Sequence, residues 1–262
     1  MTEGLGVWLY AVTPRCGDAA ELDELTGVAG EPVRTVVVDG LTAIVGSVPL
    51  EVFGEQPLRA HLEDIDWLEG TARAHDAVVS AMVRRGPTVP LRLATVFLDD
   101  DRVRELLSER RVDFAAALEL VSGRTEWGVK AYGDRAALTA AVAEARTASE
   151  GKGAGAAYLA RRRAQLSAQE SVERDAAQRA EEIHNRLLRH AAAGRRQALT
   201  DPALSGRRDW LVLNGTYLVD DDHTDEFASA VTVLGDEFPG IRLELTGPWP
   251  PYSFAGVERE PA

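Results

Sequence analysis

The 262-residue sequence predicts an α+β fold in two domains, an N-terminal one over residues 1–122 and a C-terminal one over 123–262. Three observations lead there. Short β-rich runs alternate with helical patterns along the whole chain, Asp39-Gly40 between two apolar runs demands an antiparallel hairpin, and Ser122-Gly123 divides two such series of elements. The length exceeds what one ordinary domain of about 100–200 residues needs. With 45% hydrophobic and 27% charged residues, the composition supplies a core and excludes a disordered chain.

The first predicted strand is Val7 to Val12, β-branched and aromatic and closed by Pro14, and a short helical piece from Ala19 to Leu25 follows. Val33–Val38 and Leu41–Val48 are the arms of the hairpin, whose tight turn needs positive φ at its centre. From Leu58 to Arg85 the apolar residues Leu62, Ile65, Leu68, Ala72, His75, Val79 and Met82 recur at helical spacing, a helix that covers one sheet face. Val89 to Leu98 restores β character, and Asp99-Asp100-Asp101 opens a helix through Val103, Leu107, Phe114 and Val121.

In the second half, Trp127–Tyr132 reads as a strand and Asp134–Ser149 as a helix. A long helical stretch over 156–193 carries a narrow stripe of Leu159, Leu166, Val172, Ala176, Ala180, Ile183 and Leu187. Acids precede bases by four residues at Glu170/Arg174, Asp175/Arg179 and Glu182/Arg186, as on a solvated helix with one buried edge. That edge suits a neighbour within the chain, with a docking surface as the alternative. Trp210–Val219 is a strand, Asp225–Phe238 a helix and Ile241–Leu245 a strand. This order builds a modified ferredoxin-like domain with a long helical insertion, one expected strand being reduced or replaced.

Gly247-Pro248-Trp249-Pro250-Pro251-Tyr252-Ser253-Phe254 then leaves the sheet, because prolines fix φ and remove backbone donors. Large rings on so stiff a backbone make either a packed clasp or a docking surface. Packing of Trp249, Tyr252 and Phe254 back onto the protein is the expected role.

Composition and motifs narrow the function. A net charge of −13 and a pI near 4.9 argue against a nucleic-acid binder, which needs a basic face. Cys16 has no second cysteine to pair with, no secretory leader pattern opens the chain, and no run of about eighteen apolar residues suggests a membrane span, so a cytoplasmic protein is expected. The aspartate triplets 99–101 and 220–222 read as helix starts and lack an EF-hand pattern. Gly151-Lys152-Gly153 lacks the upstream glycine and the following hydroxyl of a phosphate loop, Arg146 and Gly153 standing there instead, and reads as a hinge. His61, His75, His184, His190 and His223 form no ligand spacing, and no Gly-x-Ser-x-Gly occurs, so neither metal, cofactor nor catalytic group is expected. Arg92 interrupts an apolar strand, which calls for a buried carboxylate partner, with partner recognition as the alternative.

Four segments together resemble the GvpL/GvpF proteins of gas vesicles: Val89–Phe97, Glu126–Tyr132, Leu211–Val219 and, most specific, Gly247–Phe254. They follow the family's order through most of the chain. Leu93 and Ala94 depart from the phenylalanine and glycine the family often has after Arg92. The resemblance implies a two-domain α+β accessory protein without enzymatic activity, needed to assemble gas vesicles. It implies as partners the small hydrophobic shell protein and other vesicle accessory proteins, with the cytoplasm and the gas vesicle as location. Arg92, Trp249, Tyr252 and Phe254 are the candidate partner-binding residues. A minor structural component of the vesicle and a small-molecule-binding or catalytic α+β protein are the competing readings.

Overall fold

The computed structural model describes residues 4–14, 22, 24–140, 157–199 and 210–256, with side chains of the segment beginning at 157 described from 169 onward. The hinge at Gly151-Lys152-Gly153, Cys16 and the side chains of Leu159 and Leu166 lie outside the described residues. Met1–Thr125 with Trp249–Ala262 make one compact unit, and Glu126–Pro248 make a second. The sequence reading kept the terminal aromatic segment with the second domain; its contacts group it with the first.

The first unit is a sheet with helices on both faces. Strands β1 (Leu5–Pro14), β2 (Val33–Val38), β3 (Leu41–Pro49), β4 (Val89–Pro90) and β5 (Val96–Phe97) lie in the order β2-β3-β1-β4, with β5 also paired to β1. Every pairing is antiparallel. The hairpin forms with Val38 opposite Leu41, and both turn residues have positive φ, 48° at Asp39 and 85° at Gly40.

β1 is buried on both faces, and an irregularity in its register with β3 between Leu9 and Ala11 decides which residue faces which layer. Before that bulge Val7 and Leu9 join the core beneath α4 (Asp100–Glu109) and α5 (Arg111–Val121), while Trp8 faces the other way. After it Val12 joins the α4/α5 side, whereas Tyr10 and Ala11 both face the core under α1 (Leu50–Phe53), α2 (Glu55–His61) and α3 (Ile65–Val83). The single helix expected over 58–85 is broken between α2 and α3, because the Asp64 carboxylate caps a new start, accepting from the amides of Asp66 (3.0 Å) and Trp67 (3.3 Å).

The continuous strand expected over 89–98 is corrected. Only its ends pair with β1, and between them Leu91–Thr95 loops out. The Leu91 amide donates to Tyr10 O and Thr95 O accepts from the Leu9 amide, each at 2.9 Å, so the loop is pinned at its two feet.

In the second unit β6 (Arg124–Gly133) leads into helix α6, described over 135–140, and then to α7 (Ala157–Leu187), β7 (Ala193–Arg196), β8 (Trp210–Asp220), α8 (Thr224–Glu237) and β9 (Ile241–Trp249). The sheet order is β7-β8-β6-β9. Numbered within this domain that is 2-3-1-4, the ferredoxin-like arrangement, and the reduced strand is the four-residue β7; the helix expected over 156–193 ends at Leu187, and β7 starts at Ala193. Gly194 explains the close pairing: a Cβ there would meet the Leu188 side chain at 2.5 Å and the Tyr217 ring at 3.1 Å. Val172, Ala176, Ala180, Ile183 and Leu187 of α7 are buried against Leu213, Tyr217 and Val219 of β8 and Phe227 and Val231 of α8, so the described part of the stripe finds partners within its own unit.

Candidate functional site

Among the described residues no three His, Cys, Asp or Glu side chains cluster as metal ligands. The first aspartate triplet is consumed locally: Asp99 accepts from the Arg102 amide at 2.9 Å, Asp100 takes a bidentate pair from Arg34 at 2.7 and 3.0 Å, and Asp101 pairs with Arg104 at 2.7 Å. The Arg34 guanidinium holds the Asp100 carboxyl below its ordinary range, with burial opposing. The second triplet is also a helix start, Asp221 and Asp222 standing in a 3-10 turn over Asp221–His223 that leads into α8, but the Asp220 side chain at the N-cap position makes no capping hydrogen bond.

The polar centre of the first unit is His75, on the buried face of α3 and 2% exposed. Trp8 Nε1–H donates to His75 Nδ1 at 3.0 Å, which leaves the ring proton on Nε2, 3.1 Å from the Leu91 carbonyl. Burial holds the imidazole neutral, its pKa pushed down to about 4 against the opposing effect of the Leu91 carbonyl. The Tyr10 ring lies 5.4 Å from that imidazole and its hydroxyl donates to Glu31 Oε1 at 2.6 Å, while the Val28 amide donates to the Tyr10 oxygen at 2.9 Å. Burial, and then the Glu31 carboxylate, raise the Tyr10 pKa. This network ties β1, α3 and the chain around Val28–Glu31 together.

Two surface features are anchored on it. One is the loop Leu91–Thr95, whose first carbonyl is held by His75 and whose Thr95 hydroxyl donates to Arg92 O at 2.7 Å. Arg92 is exposed at its tip; the expected burial within a strand is corrected, because the loop carries the residue out of the ladder. Ala94 turns the loop with φ 68°, a conformation glycine adopts freely and a Cβ strains.

The other feature is the terminal segment. Its 3-10 turn Tyr252–Phe254 packs Tyr252 against the α3-side core, with the ring 6.4 Å from His75 and the hydroxyl 3.5 Å from Asp76 Oδ1. Burial and the Asp76 carboxylate raise the Tyr252 pKa. Phe254 is 1% exposed, and Ala255 packs on the α4/α5-side core. Trp249 differs, being 49% exposed. Among the four candidates, therefore, Phe254 and Tyr252 are packing residues, while Arg92 and Trp249 present their side chains to solvent. The sequence reading passed over His75 as an anchor, although its place on the apolar stripe of α3 was visible. The departure from glycine at Ala94 was the other available signal.

The family profile described as gas vesicle synthesis protein GvpL/GvpF matches residues 6–256. A gas vesicle protein L of Streptomyces sp. (strain CB03234) is 44% identical over 261 residues, covering 97% of this chain and 94% of that one. A gas vesicle protein F of the same strain is 28% identical over 228 residues, covering 86% and 88% of the two chains. The crystal structure of the gas vesicle protein GvpF from Anabaena sp. PCC7120 shares the fold, with a TM-score of 0.68 at 17% identity over 98% of this chain and 99% of that one.

Proposed function

The chain belongs to the GvpL/GvpF family of gas vesicle synthesis proteins, and from that premise we propose that it is an assembly accessory protein that binds the small hydrophobic shell protein and supports vesicle formation. The observation that carries the reading is the extent of the family match, which runs through both compact units. The family is one of gas vesicle proteins and not a known enzyme family, and the buried histidine and tyrosines described above are spent on packing.

The physical need is plain. A shell subunit that turns an apolar face to gas is prone to aggregate before assembly, and an acidic protein of net charge −13 that binds it keeps the complex dispersed. In this reading Arg92 and Trp249 contact partners directly, while Tyr252 and Phe254 hold the terminal segment in place. Further accessory proteins of the vesicle are additional partners. The greater identity to the Streptomyces protein L than to protein F favours an L-type role.

Coexpression with the shell protein followed by capture of this chain tests the proposal: the shell protein should co-purify, and deletion of the gene should leave cells without normal vesicles. No association together with normal vesicles after deletion would sink it. The second reading, a structural component retained in the finished vesicle, is distinguished by probing purified vesicles for the chain.

A further inference from the structure

The second unit leaves one sheet edge uncovered beside an apolar groove. β9 stands last in the order β7-β8-β6-β9, so no strand pairs its outer edge among the described residues. Next to that edge an open groove is lined by Ala228, Val231 and Gly235 of α8 and by Leu243 and Leu245 of β9. Gly235 opens it further, since a Cβ there would meet no atom within 4 Å. Natural edges are commonly blunted by lysine, proline or a bulge. β9 has no lysine, its charged residues Arg242 and Glu244 lie 3.6 Å from each other, and its first proline, Pro248, comes at the end of the strand.

Charge points to the kind of occupant. Among the described residues that line the groove Arg242 is the charged one; its guanidinium lies 3.6 Å from Glu244, outside the lining, and stacks 4.4 Å over the Tyr132 ring. On a chain of net charge −13 this is a nearly neutral, apolar strip. A second copy of the chain would bring a like net charge to it, whereas an uncharged apolar segment meets no such repulsion.

We propose that β9 and the groove beside it receive an extended, uncharged apolar segment of the shell subunit as an added strand. Main-chain hydrogen bonds to the β9 edge supply the alignment, and alternate side chains of the guest settle between Leu243, Leu245 and the gap at Gly235. The inference rests on the shell-binding reading above and assigns it a surface.

The test uses the full chain coexpressed with the shell protein, with Gly235→Trp as the variant. Tryptophan fills the groove from a position with free space, and replacing glycine in a helix interior does not lower helix propensity, so folding should persist. Capture of the shell protein should fall at least about tenfold, and in the unaltered complex amide exchange within β9 should slow. The exchange footprint on the unaltered chain decides the matter even where the variant folds poorly. Undiminished capture by Gly235→Trp with no slowing at β9 overturns this inference and leaves shell binding intact. No capture by the unaltered chain overturns both.

Discussion

Acid should weaken the first unit through one residue, His75. Folded, its imidazole stays neutral down to a pKa of about 4, because it is buried and its Nδ1 must remain free to accept from Trp8. Unfolded, it titrates near its ordinary value of about 6.5. The folded pKa is thus depressed below the unfolded one. Above about pH 6.5 neither state is protonated and the histidine exerts no pH effect; as pH falls further, the unfolded chain takes up a proton that the folded chain refuses, and stability is lost until about pH 4. Integrating over that window gives a loss of about 1 kcal/mol between about pH 7 and about pH 5.5, rising toward about 3 kcal/mol near pH 4. The milder pH stays above the pI near 4.9, where solubility is poorest.

The assay is urea unfolding at the two pH values for the unaltered chain and for His75→Gln, followed by tryptophan fluorescence, to which Trp8 contributes. Glutamine keeps a donor and an acceptor but does not titrate, so the variant should show a pH effect smaller by about 1 kcal/mol. His184 is also depressed, by burial and by Arg196, but it is unaltered in the variant and cancels in the difference. Equal pH dependence in the two proteins would refute the assignment of a neutral, hydrogen-bonded His75.

Ala94→Gly should raise stability by up to about 1 kcal/mol, read as a higher Tm, since the residue stands at φ 68°; a lowered Tm would show that the loop is unstrained. Phe254→Ala, at a site 1% exposed, should cost about 3 kcal/mol in chemical unfolding, whereas Trp249→Ala, at a site 49% exposed, should cost below about 1 kcal/mol. Loss of shell-protein capture in Trp249→Ala at unchanged Tm is expected, and a large stability loss there would return Trp249 to a packing role. Gly215→Ala should cost about 2 kcal/mol or more and disturb the 2.8 Å Tyr217–His184 hydrogen bond, because the added Cβ would fall 2.7 Å from the Tyr217 hydroxyl oxygen; unaltered near-ultraviolet circular dichroism and Tm would contradict this packing.

Much of the fold was legible locally. Asp39-Gly40 announced its hairpin because few residue pairs adopt two consecutive positive φ values, and the stripe Val172 to Leu187 announced a one-sided helix by spacing alone. What was missed depends on partners distant in sequence. Asp64 becomes a helix cap only because the chain turns there, and β7 is a strand only because β8 lies alongside Gly194. Ala94–Asp101 and Gly215–Asp222 are alike in sequence, each an apolar run after a small residue and threonine that ends in three aspartates, yet the first holds a two-residue strand and the second the end of a central one, since pairing on both sides and not composition decides between them.

The sequence by itself determined the class of the protein, through the periodicities that make helices and strands amphipathic, and pointed to its family, through the proline-aromatic segment Gly247–Phe254. Those are properties of residues near one another in the chain. Only the tertiary structure decided where the four candidate residues lie and how far each is buried. Phe254 is buried because a core closes over it, Tyr252 lies against His75 because α3 presents that ring, Arg92 is lifted out by a loop pinned at Leu91 and Thr95, and Trp249 is left half in solvent. Burial is a relation between surfaces brought together from far apart in the chain, and no local pattern encodes which surfaces meet.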